Sequence, residues 1–379
     1  MVEYIGAGLR KTSKVGIFTS PHLHTARERI KMGTTLISRD DLTRIGKQTL
    51  DVMKNVPWAV FFDMFLATAV QYFDEQDPDY IILETGIGGR FDSTNFVEKP
   101  SIGIITSISL DHQGVLGDTL ELISWQKAGI IKPGMNIFTP STQSEVAMEV
   151  ISKHCKEVGA KLHVVDVSLD TCQELGVAPQ YDIEVQNICI SEAVLRHLNV
   201  LDLSGIKDFF WPCRMEKFDI NGVTIILDGS HNGDSVKLFL QGVRKNYPGR
   251  SIRVLFGGGL EKCLEDMLLE VYTHADSVVF LQSSHFKSAS EKELYDAMNT
   301  AGYDISMPLG CKPLDSVEGG TIPRRIKEAL DMPEPTKGKE KPVVVVCGSL
   351  FAAADARSSL NDLHPSLFDL RDWVKDGDF

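Results

Sequence analysis

The sequence predicts an α/β protein with a mostly parallel sheet, followed by a second, smaller α/β domain. Three observations support this fold class. Apolar runs rich in β-branched residues alternate with helical stripes, this alternation occurs in two separate series, and 379 residues suffice for two or three domains of ~150 residues. Runs that are apolar throughout are typical of strands covered on both faces, as in a parallel sheet.

The first series occupies the N-terminal half and ends at a linker. We predict strands at 15–19, 80–83, 102–108 and 161–165, and helices at 2–10, 40–54, 60–74, 120–128, 146–158 and 183–198. The stretch 168–182 is less regular. We place the first domain at 1–204 and the linker at 205–213, where Gly205, a charge pair and aromatic residues precede Pro212.

The second domain is predicted at 214–379. Its strands are expected at 223–227, 252–256, 277–281 and 343–346, and its helices at 235–245, 263–273 and 291–300. The polar range 333–342, rich in Lys and Pro, is interpreted as a surface loop.

Composition excludes several classes of function. The net charge of −13 argues against a general nucleic-acid binder and against an anionic membrane surface as partner. The seven cysteines are odd in number and form no C-x-x-C pair, which argues against a disulfide framework or a zinc site and favours a reducing compartment. No apolar run approaches the ~18 residues that span a bilayer. We therefore expect a cytoplasmic protein, with a mitochondrial form left open.

The first cluster with chemical potential is the stretch 84–95, which directly follows the strand at 80–83 and begins Glu-Thr-Gly-Ile-Gly-Gly-Arg. Glu84 is a hard oxygen ligand suited to Mg²⁺, at the strand end where α/β sheets bind ligands. Gly88 and Gly89 allow the backbone to approach a ligand closely. A strand followed by an ordinary glycine-rich turn is the competing interpretation.

Two further residues follow the strand at 102–108. His112 ends Ser-Leu-Asp-His, and we expect it at the same sheet edge as Glu84, where the two could share a divalent cation. A surface or capping role is the alternative for a lone His. Lys127, at the end of the helix at 120–128, would by itself be a solvated cation favouring the helix C-terminus.

Asp228 and His231 lie in Asp-Gly-Ser-His-Asn, after the strand at 223–227 and before a helix, a position that favours anions. A turn and helix cap would explain Asp228 and Asn232 but not the His. Arg214, just beyond the linker, could clamp a phosphate or lie at the surface. Ser20, at another strand end, could ligate a metal or cap a turn.

These clusters together resemble one family over almost the whole chain. Residues 19–23 and 27–30 are similar to its TSPHL and RERI elements, and residues 84–95 to its E-x-G-x-G-G-R-x-D-x-T-N signature. Residues 109–112, 126–130 and 228–232 are similar to its S-x-D-H, E-K-A-G-I and D-G-A-H-N elements. The family is that of folylpolyglutamate synthase and dihydrofolate synthase, part of the Mur ligase group.

The resemblance implies a Mur-ligase-like ATPase domain and a Rossmann-like C-terminal domain. It implies that ATP activates a folate or dihydropteroate carboxylate as an acyl phosphate, which the α-amine of L-glutamate then attacks. Ser20, Glu84, His112 and a carbamylated Lys127 would hold Mg²⁺. Arg214, Asp228, His231 and Asn232 would serve the nucleotide and the reaction, with Gly88 and Gly89 at the cofactor. A monomer, with no nucleic-acid or membrane partner, is expected.

The chain departs from this family in one major respect. The family has a phosphate-binding loop after its first strand, yet the sequence contains no Gly-Lys-Ser/Thr; its Gly-Lys pairs are Gly46-Lys47 and Gly338-Lys339. The residues at 2–10 match the helix after that loop, so we expect a chain truncated at its N-terminus. The alternative to an active ligase is therefore a non-catalytic or incomplete relative, and we expect the 379-residue chain to use ATP poorly.

Smaller departures concern three positions. Trp125-Gln126 stands where the family has an acidic residue before the Lys, and Cys213 stands where Gly is usual. Where the family has a His-Gln pair before the helix at 183–198, residues 181–186 read Tyr-Asp-Ile-Glu-Val-Gln. Dihydropteroate, a reduced folate, or both are the acceptors that the resemblance allows.

Overall fold

The computed structural model describes residues 1–179, 181–207, 209–300, 322–331 and 341–368. The chain forms two compact units that meet in sequence between Phe209 and Phe210, within the range predicted as a linker. None of the helices in the described ranges is long and apolar enough to cross a membrane.

Unit 1 contains nine helices and seven strands in its described residues. The helices are α1 (Val2–Leu9), α2 (Arg39–Met53), α3 (Phe61–Gln76), α4 (Gln113–Leu116), α5 (Leu120–Ala128), α6 (Glu145–Val158), α7 (Leu169–Glu174), α8 (Asp182–His197) and α9 (Ser204–Lys207). The strands are β1 (Val15–Phe18), β2 (Ile30–Met32), β3 (Thr35–Leu36), β4 (Tyr80–Leu83), β5 (Ile102–Ile104), β6 (Asn136–Pro140) and β7 (Lys161–Val165).

These strands form two sheets. One has the order β3-β2-β1-β4, in which β1 and β4 are parallel and β2 is antiparallel to both of its neighbours. The other is parallel throughout, with the order β5-β6-β7. The expectation that Glu84 and His112 follow strands of one sheet edge is therefore wrong, because β4 and β5 belong to different sheets.

Strand β1 shows why its sequence is apolar at every position. Ile17 is buried in a cluster with α1 and α8, whereas its neighbour Phe18 is buried in a second cluster with Phe65 and Phe73 of α3. Because successive side chains of a strand point to opposite faces, burial of both requires cover on both sides.

The start of the predicted linker contains a short helix that packs on α1. A Cβ at Gly205 of α9 would lie 2.0 Å from the carbonyl oxygen of Ala7, so only glycine permits this approach. The glycine that suggested a flexible connection is thus a packing residue.

Unit 2 has five strands and five helices in its described residues. The strands are β8 (Glu216–Ile220), β9 (Val223–Leu227), β10 (Ile252–Phe256), β11 (Ser277–Phe280) and β12 (Val343–Cys347). The helices are α10 (Gly233–Asn246), α11 (Leu264–His274), α12 (Glu291–Thr300), α13 (Ile322–Asp331) and α14 (Leu350–Leu363). The sheet order is β11-β10-β12-β9-β8, and β8 pairs antiparallel with β9 while the other pairs are parallel.

The predicted α/β class with parallel strands is confirmed, but several elements were missed or misplaced. The strand predicted at 102–108 ends at Ile104, and the strands β2, β3, β6 and β8 were not predicted. Helix α7 lies in the stretch interpreted as less regular, and α13 and α14 were missed. Most of the surface loop predicted at 333–342 lies outside the described residues.

Candidate active site

The C-terminal ends of β1 and β4 bring Ser20 and Glu84 together. The strands are parallel with Phe18 opposite Leu83, so the residues that follow leave the sheet at the same edge. The backbone N–H of Ser20 donates a hydrogen bond to Glu84 Oε2 at 2.8 Å. Ser20 and Glu84 are therefore neighbours in the structure, and their role as metal ligands stays a prediction.

Glu28 shapes the segment that follows Ser20. Its buried carboxylate accepts hydrogen bonds from the backbone N–H groups of Leu23, His24 and Thr25, at 2.7, 2.8 and 2.8 Å. Burial raises the pKa of Glu28, and these three N–H groups oppose that rise. Sequence analysis noticed Glu28 within the RERI element but gave it no role.

The glycine-rich stretch after Glu84 is closed by Asp92. One carboxylate oxygen accepts from the backbone N–H of Ile87 at 2.9 Å, and the other accepts from the backbone N–H of Thr94 at 3.0 Å. Asp92 thereby ties the two ends of the loop together across the glycines.

Gly88 and Gly89 have conformations that favour glycine, with φ of +70° and +150°. A Cβ at Gly89 would lie 3.1 Å from the carbonyl oxygen of Lys127 and 3.2 Å from that of Gln126. What these glycines approach in the structure is thus the C-terminal end of α5; their predicted role at a cofactor stays a prediction.

Arg90 and Asn95 fasten this loop to α5. The Arg90 backbone N–H donates to the Gln126 carbonyl at 2.8 Å, and its guanidinium lies 3.8 Å from the centre of the Trp125 ring. Asn95 Nδ2 donates to the carbonyls of Arg90 and Gly129, both at 3.1 Å. The position of Lys127 is therefore fixed relative to the loop that begins at Glu84.

Lys127 shares its surroundings with Asp111 and His112. Burial lowers the pKa of Lys127, and the negative charge of Asp111 opposes this. Asp111 Oδ1 accepts from the His112 backbone N–H at 2.8 Å, and His112 Nε2 lies 3.8 Å from Asp111 Oδ2. His112 has a left-handed backbone, with φ of +53°, directly before α4. The solvated-cation interpretation of Lys127 does not describe this half-buried side chain.

Of the predicted metal ligands, Ser20 is hydrogen-bonded to Glu84, and His112 and Lys127 each interact with Asp111. Within the described ranges, no three His, Cys, Asp or Glu side chains come close enough together to hold a metal ion. Only Glu84 and His112 of the predicted set are of these types, so the set of four stays a prediction.

In unit 2, Asp228 follows β9 and is buried. Its Oδ2 accepts from the Met215 backbone N–H at 3.0 Å, and its Oδ1 accepts from the Ser230 backbone N–H at 2.9 Å. Burial raises the pKa of Asp228, and the positive charge of Arg214 opposes the rise. The structure therefore brings Arg214 and Asp228 together, as electrostatic neighbours.

The turn that carries Arg214 is unusual in its backbone. Cys213 and Met215 have φ of +55° and +47°, a region that favours glycine. This explains physically why Gly is the expected residue at position 213. The turn is held by Glu216, which accepts from the Cys213 backbone N–H at 2.9 Å and forms a buried ion pair with Arg357 Nε, also at 2.9 Å. Arg357 was missed by sequence analysis.

His231 and Asn232 begin α10. Asn232 Oδ1 accepts from the Ser235 backbone N–H at 2.8 Å, so this side chain caps the helix, as the alternative interpretation had it. His231 Nδ1 lies 2.9 Å from the Gly229 carbonyl oxygen. A carbonyl can only accept, so Nδ1 carries the proton and, in the neutral ring, Nε2 is an acceptor.

Comparison with known proteins gives a family match in the C-terminal part of the chain and relatives along most of its length. Residues 213–350 match the family model of the Mur ligase glutamate ligase domain. The dihydrofolate synthase/folylpolyglutamate synthase of Bacillus subtilis is 29% identical over 382 residues, which cover 91% of this chain and 84% of that protein. Among solved structures, E. coli FolC in complex with DHPP and ADP has a TM-score of 0.78 at 20% identity, covering 96% of this chain and 86% of that one. A bifunctional folylpolyglutamate synthase/dihydrofolate synthase from Yersinia pestis, complexed with AMPPNP and Mn ion, has a TM-score of 0.78 at 22% identity, covering 96% and 85%.

Proposed function

Because the chain belongs to the folylpolyglutamate synthase and dihydrofolate synthase family of Mur ligases, we propose that it catalyses the ATP-dependent addition of L-glutamate to a folate-type carboxylate. A carboxylate oxygen of the acceptor attacks the γ-phosphorus of ATP, ADP leaves, and an acyl phosphate forms. The glutamate amine nitrogen then attacks the carbonyl carbon, phosphate leaves, and the amine loses a proton. The acceptor is a reduced folate, dihydropteroate or both.

The hydrogen bond between Ser20 and Glu84 carries this proposal in unit 1. It sets Ser20 and the Glu84 carboxylate side by side at the C-terminal ends of two parallel strands, where α/β proteins bind ligands. A carboxylate supplies hard oxygen ligands of the kind that a divalent cation such as Mg²⁺ prefers. Mg²⁺, when bound, neutralises phosphate charge and stabilises the transferring phosphoryl group.

We assign His112 and Lys127 to the same function. The lowered pKa of Lys127 increases its neutral fraction, and a neutral amine is the form that combines with CO₂ to give a carbamate. Carbamylation would turn this cation into a carboxylate-like ligand. Ser20, Glu84, His112 and the carbamylated Lys127 would then hold Mg²⁺.

In unit 2 we assign the amine's proton to His231. Its Nδ1 donates to the Gly229 carbonyl, so in the neutral ring Nε2 is the nitrogen without a proton, which is the form that a general base requires. Asp228 holds the backbone next to Arg214 and next to His231, through the N–H groups of Met215 and Ser230 respectively. Arg214 provides the positive charge for an anionic group of the substrates, and Asn232 holds the start of α10.

The test is a product assay on the purified chain. Labelled glutamate, ATP and Mg²⁺ are supplied with dihydropteroate or with tetrahydrofolate, and the product and ADP are measured by mass spectrometry and chromatography. We expect one ADP for each glutamate joined to the acceptor. If the chain neither binds an acceptor in calorimetry nor forms product, the proposal is wrong.

One observation favours a second candidate, a relative that binds folates without turnover. The 379 residues contain no Gly-Lys-Ser/Thr, the sequence whose N–H groups and Lys hold nucleotide phosphates in P-loop proteins. This candidate predicts acceptor binding without glutamate-dependent ADP release. The same assay therefore separates the two, since ADP release in step with product excludes the second.

We further propose a cytoplasmic monomer that binds no nucleic acid. The net charge of −13 supports the last point. Six of the seven cysteines lie in the described residues and are free thiols, which supports a reducing compartment. Light scattering coupled to gel filtration tests the monomer directly.

A further inference from the structure

The segment that leads from β5 to α4 is held by a side chain from outside it. The Ile105 N–H donates to the Phe138 carbonyl of β6 at 3.0 Å, as in the ladder of the sheet. Beyond Ile105 the backbone is bound by Gln143, which lies in the turn between β6 and α6. Its Oε1 accepts from the Ile108 N–H at 3.1 Å, and its Nε2 donates to the Thr106 carbonyl at 2.7 Å. One side chain therefore holds the backbone where the strand stops.

The orientation of the Gln143 amide follows from its partners. A backbone N–H can only donate and a carbonyl can only accept, so the oxygen faces Ile108 and the nitrogen faces Thr106. Nε2 also donates to the hydroxyl oxygen of Thr139, a fully buried residue, at 3.1 Å. Gln143 is 9% exposed, so an unmade hydrogen bond at this place is costly. An ionised carboxylate could only accept here, and the position therefore requires an amide.

The segment is anchored at its other end as well. Ile108 and Leu116 of α4 are both buried in one apolar cluster, to which α5 and α6 contribute. The His112 carbonyl accepts from the Leu116 N–H at 2.9 Å. The four residues 109–112 thus lie between two fixed points, and both points pack in a cluster that includes residues of α5, the helix of Lys127.

This short span carries two groups of the candidate site. Asp111 Oδ1 accepts from the His112 N–H at 2.8 Å, and the negative charge of Asp111 opposes the lowering of the Lys127 pKa. With anchors at both ends, the backbone of these residues has few alternative conformations. Such pre-organisation reduces the entropy that ligand binding must overcome.

From this geometry we propose that Gln143 is a positioning residue: by fixing the backbone after β5, it sets the positions of Asp111 and His112 relative to Lys127. Gln143 acts through this segment and not by touching a substrate. The part of the proposal that concerns metal binding rests on the proposed function, in which His112 and Lys127 serve Mg²⁺. Loss of a residue that orients metal ligands lowers metal affinity by about 10–100-fold.

The first test is hydrogen exchange, read at single residues by mass spectrometry in the chain without ligand. Q143M keeps the length of the side chain and removes the amide. We expect exchange at Ile108 and His112 to rise by about tenfold relative to Ile105, whose partner is unaltered. T139V is the matched control, because it removes one hydrogen bond of Gln143 and leaves the two to the segment. It should change these relative rates by less than about threefold.

The second test is Mn²⁺ affinity, measured by EPR in the presence of ADP. We expect Q143M to weaken Mn²⁺ binding by at least about tenfold and T139V to weaken it by less than about threefold. Urea denaturation establishes that each variant is folded. If Q143M does not fold, Q143N replaces it in both tests, since its amide is one methylene too short to reach the segment.

Three results would overturn the proposal or part of it. Fast exchange at Ile108 in the unaltered chain would show that Gln143 does not hold the segment. An unchanged Mn²⁺ affinity in the folded variant would show that Gln143 has only a structural role, which lowers the free energy of unfolding and leaves the site intact. If the unaltered chain binds no Mn²⁺, the metal assignment and the proposed function fail, and exchange at His112 alone decides whether Gln143 positions the segment.

Discussion

The Ser20 backbone N–H donates to Glu84 Oε2 at 2.8 Å across two parallel strands, β1 and β4. This bond does two things at once. It directs one oxygen of the carboxylate, and it fixes the start of the segment that carries Ser20 and His22. The negative charge at this position and the conformation of the segment that begins at Ser20 therefore both depend on the Glu84 side chain. A test of the metal assignment must remove the charge and keep the hydrogen bond.

E84Q separates them, because a glutamine oxygen can still accept from the Ser20 N–H but carries no charge. We expect Mn²⁺ affinity, measured by EPR in the presence of ADP, to fall by more than about tenfold, since even the loss of outer-shell partners costs 10–100-fold. E98Q, at an exposed glutamate, is the matched control; equal Mn²⁺ affinity in both variants would contradict the metal assignment.

The buried pair of Glu216 and Arg357 should be essential to unit 2. Their side chains are 4% and 3% exposed, so E216Q leaves a buried guanidinium without its counter-charge. We expect a loss of about 3–5 kcal/mol in the free energy of unfolding, measured by urea denaturation. D41N, which removes an exposed partner of Arg44, should leave that free energy nearly unchanged. A loss in E216Q no larger than in D41N would show that the pair does not stabilise the turn.

Asp228 should make the stability of the chain depend on pH. Burial raises its pKa above the ordinary 3.8, so the folded state binds the proton more tightly than the unfolded state. The contribution of Asp228 to the free energy of unfolding is then fully present below pH 3.8. It is lost as the pH rises through the folded-state pKa of this carboxyl group. The advantage of D228N over the unaltered chain in unfolding free energy should therefore grow as the pH rises through this window and then level off.

The prediction concerns how the difference in unfolding free energy between D228N and the unaltered chain changes with pH, and not the absolute size of that difference. The amide side chain of the D228N variant has only one of the two acceptor oxygens used by Met215 and Ser230, which adds a constant cost at every pH. An advantage that shrinks as the pH rises would mean that the Arg214 charge outweighs burial.

Sequence reasoning reached the residues that follow strands and missed the residues that position them. Ser20 and Glu84 were found because β1 and β4 are mostly apolar and polar residues follow directly after each strand. Arg357 could not be found, because its partner Glu216 lies 141 positions away and neither has a distinctive neighbour in sequence. Trp125 was noted only as a departure, although its ring lies against the guanidinium of Arg90.

The misplaced elements have a common physical cause. Strand β6 ends in Pro140, and β8 alternates buried with exposed residues, so neither resembles the uniformly apolar strands of a parallel sheet. The strand predicted at 102–108 stops at Ile104. The Ile105 N–H still donates to the Phe138 carbonyl of β6, but beyond it the Gln143 side chain binds the backbone of Thr106 and Ile108, and Ile108 is buried without being part of a strand. An apolar run marks burial, and burial does not require a strand.

Lys127 provides the last prediction, a covalent modification that can be detected without turnover. Burial lowers its pKa, so at a given pH more of its amine is neutral than in an exposed lysine. The neutral nitrogen attacks the carbon of CO₂, an N–C bond forms, and a proton passes to water. With ¹³C-labelled bicarbonate we expect a carbamate resonance in the unaltered chain that is absent from K127R and retained in K153R, which alters an exposed lysine. Acidification should remove the resonance, because protonation of the amine reverses the addition. If the unaltered chain binds Mn²⁺ but shows no carbamate resonance, Lys127 is not carbamylated. It is then not one of the metal ligands, and that assignment is wrong.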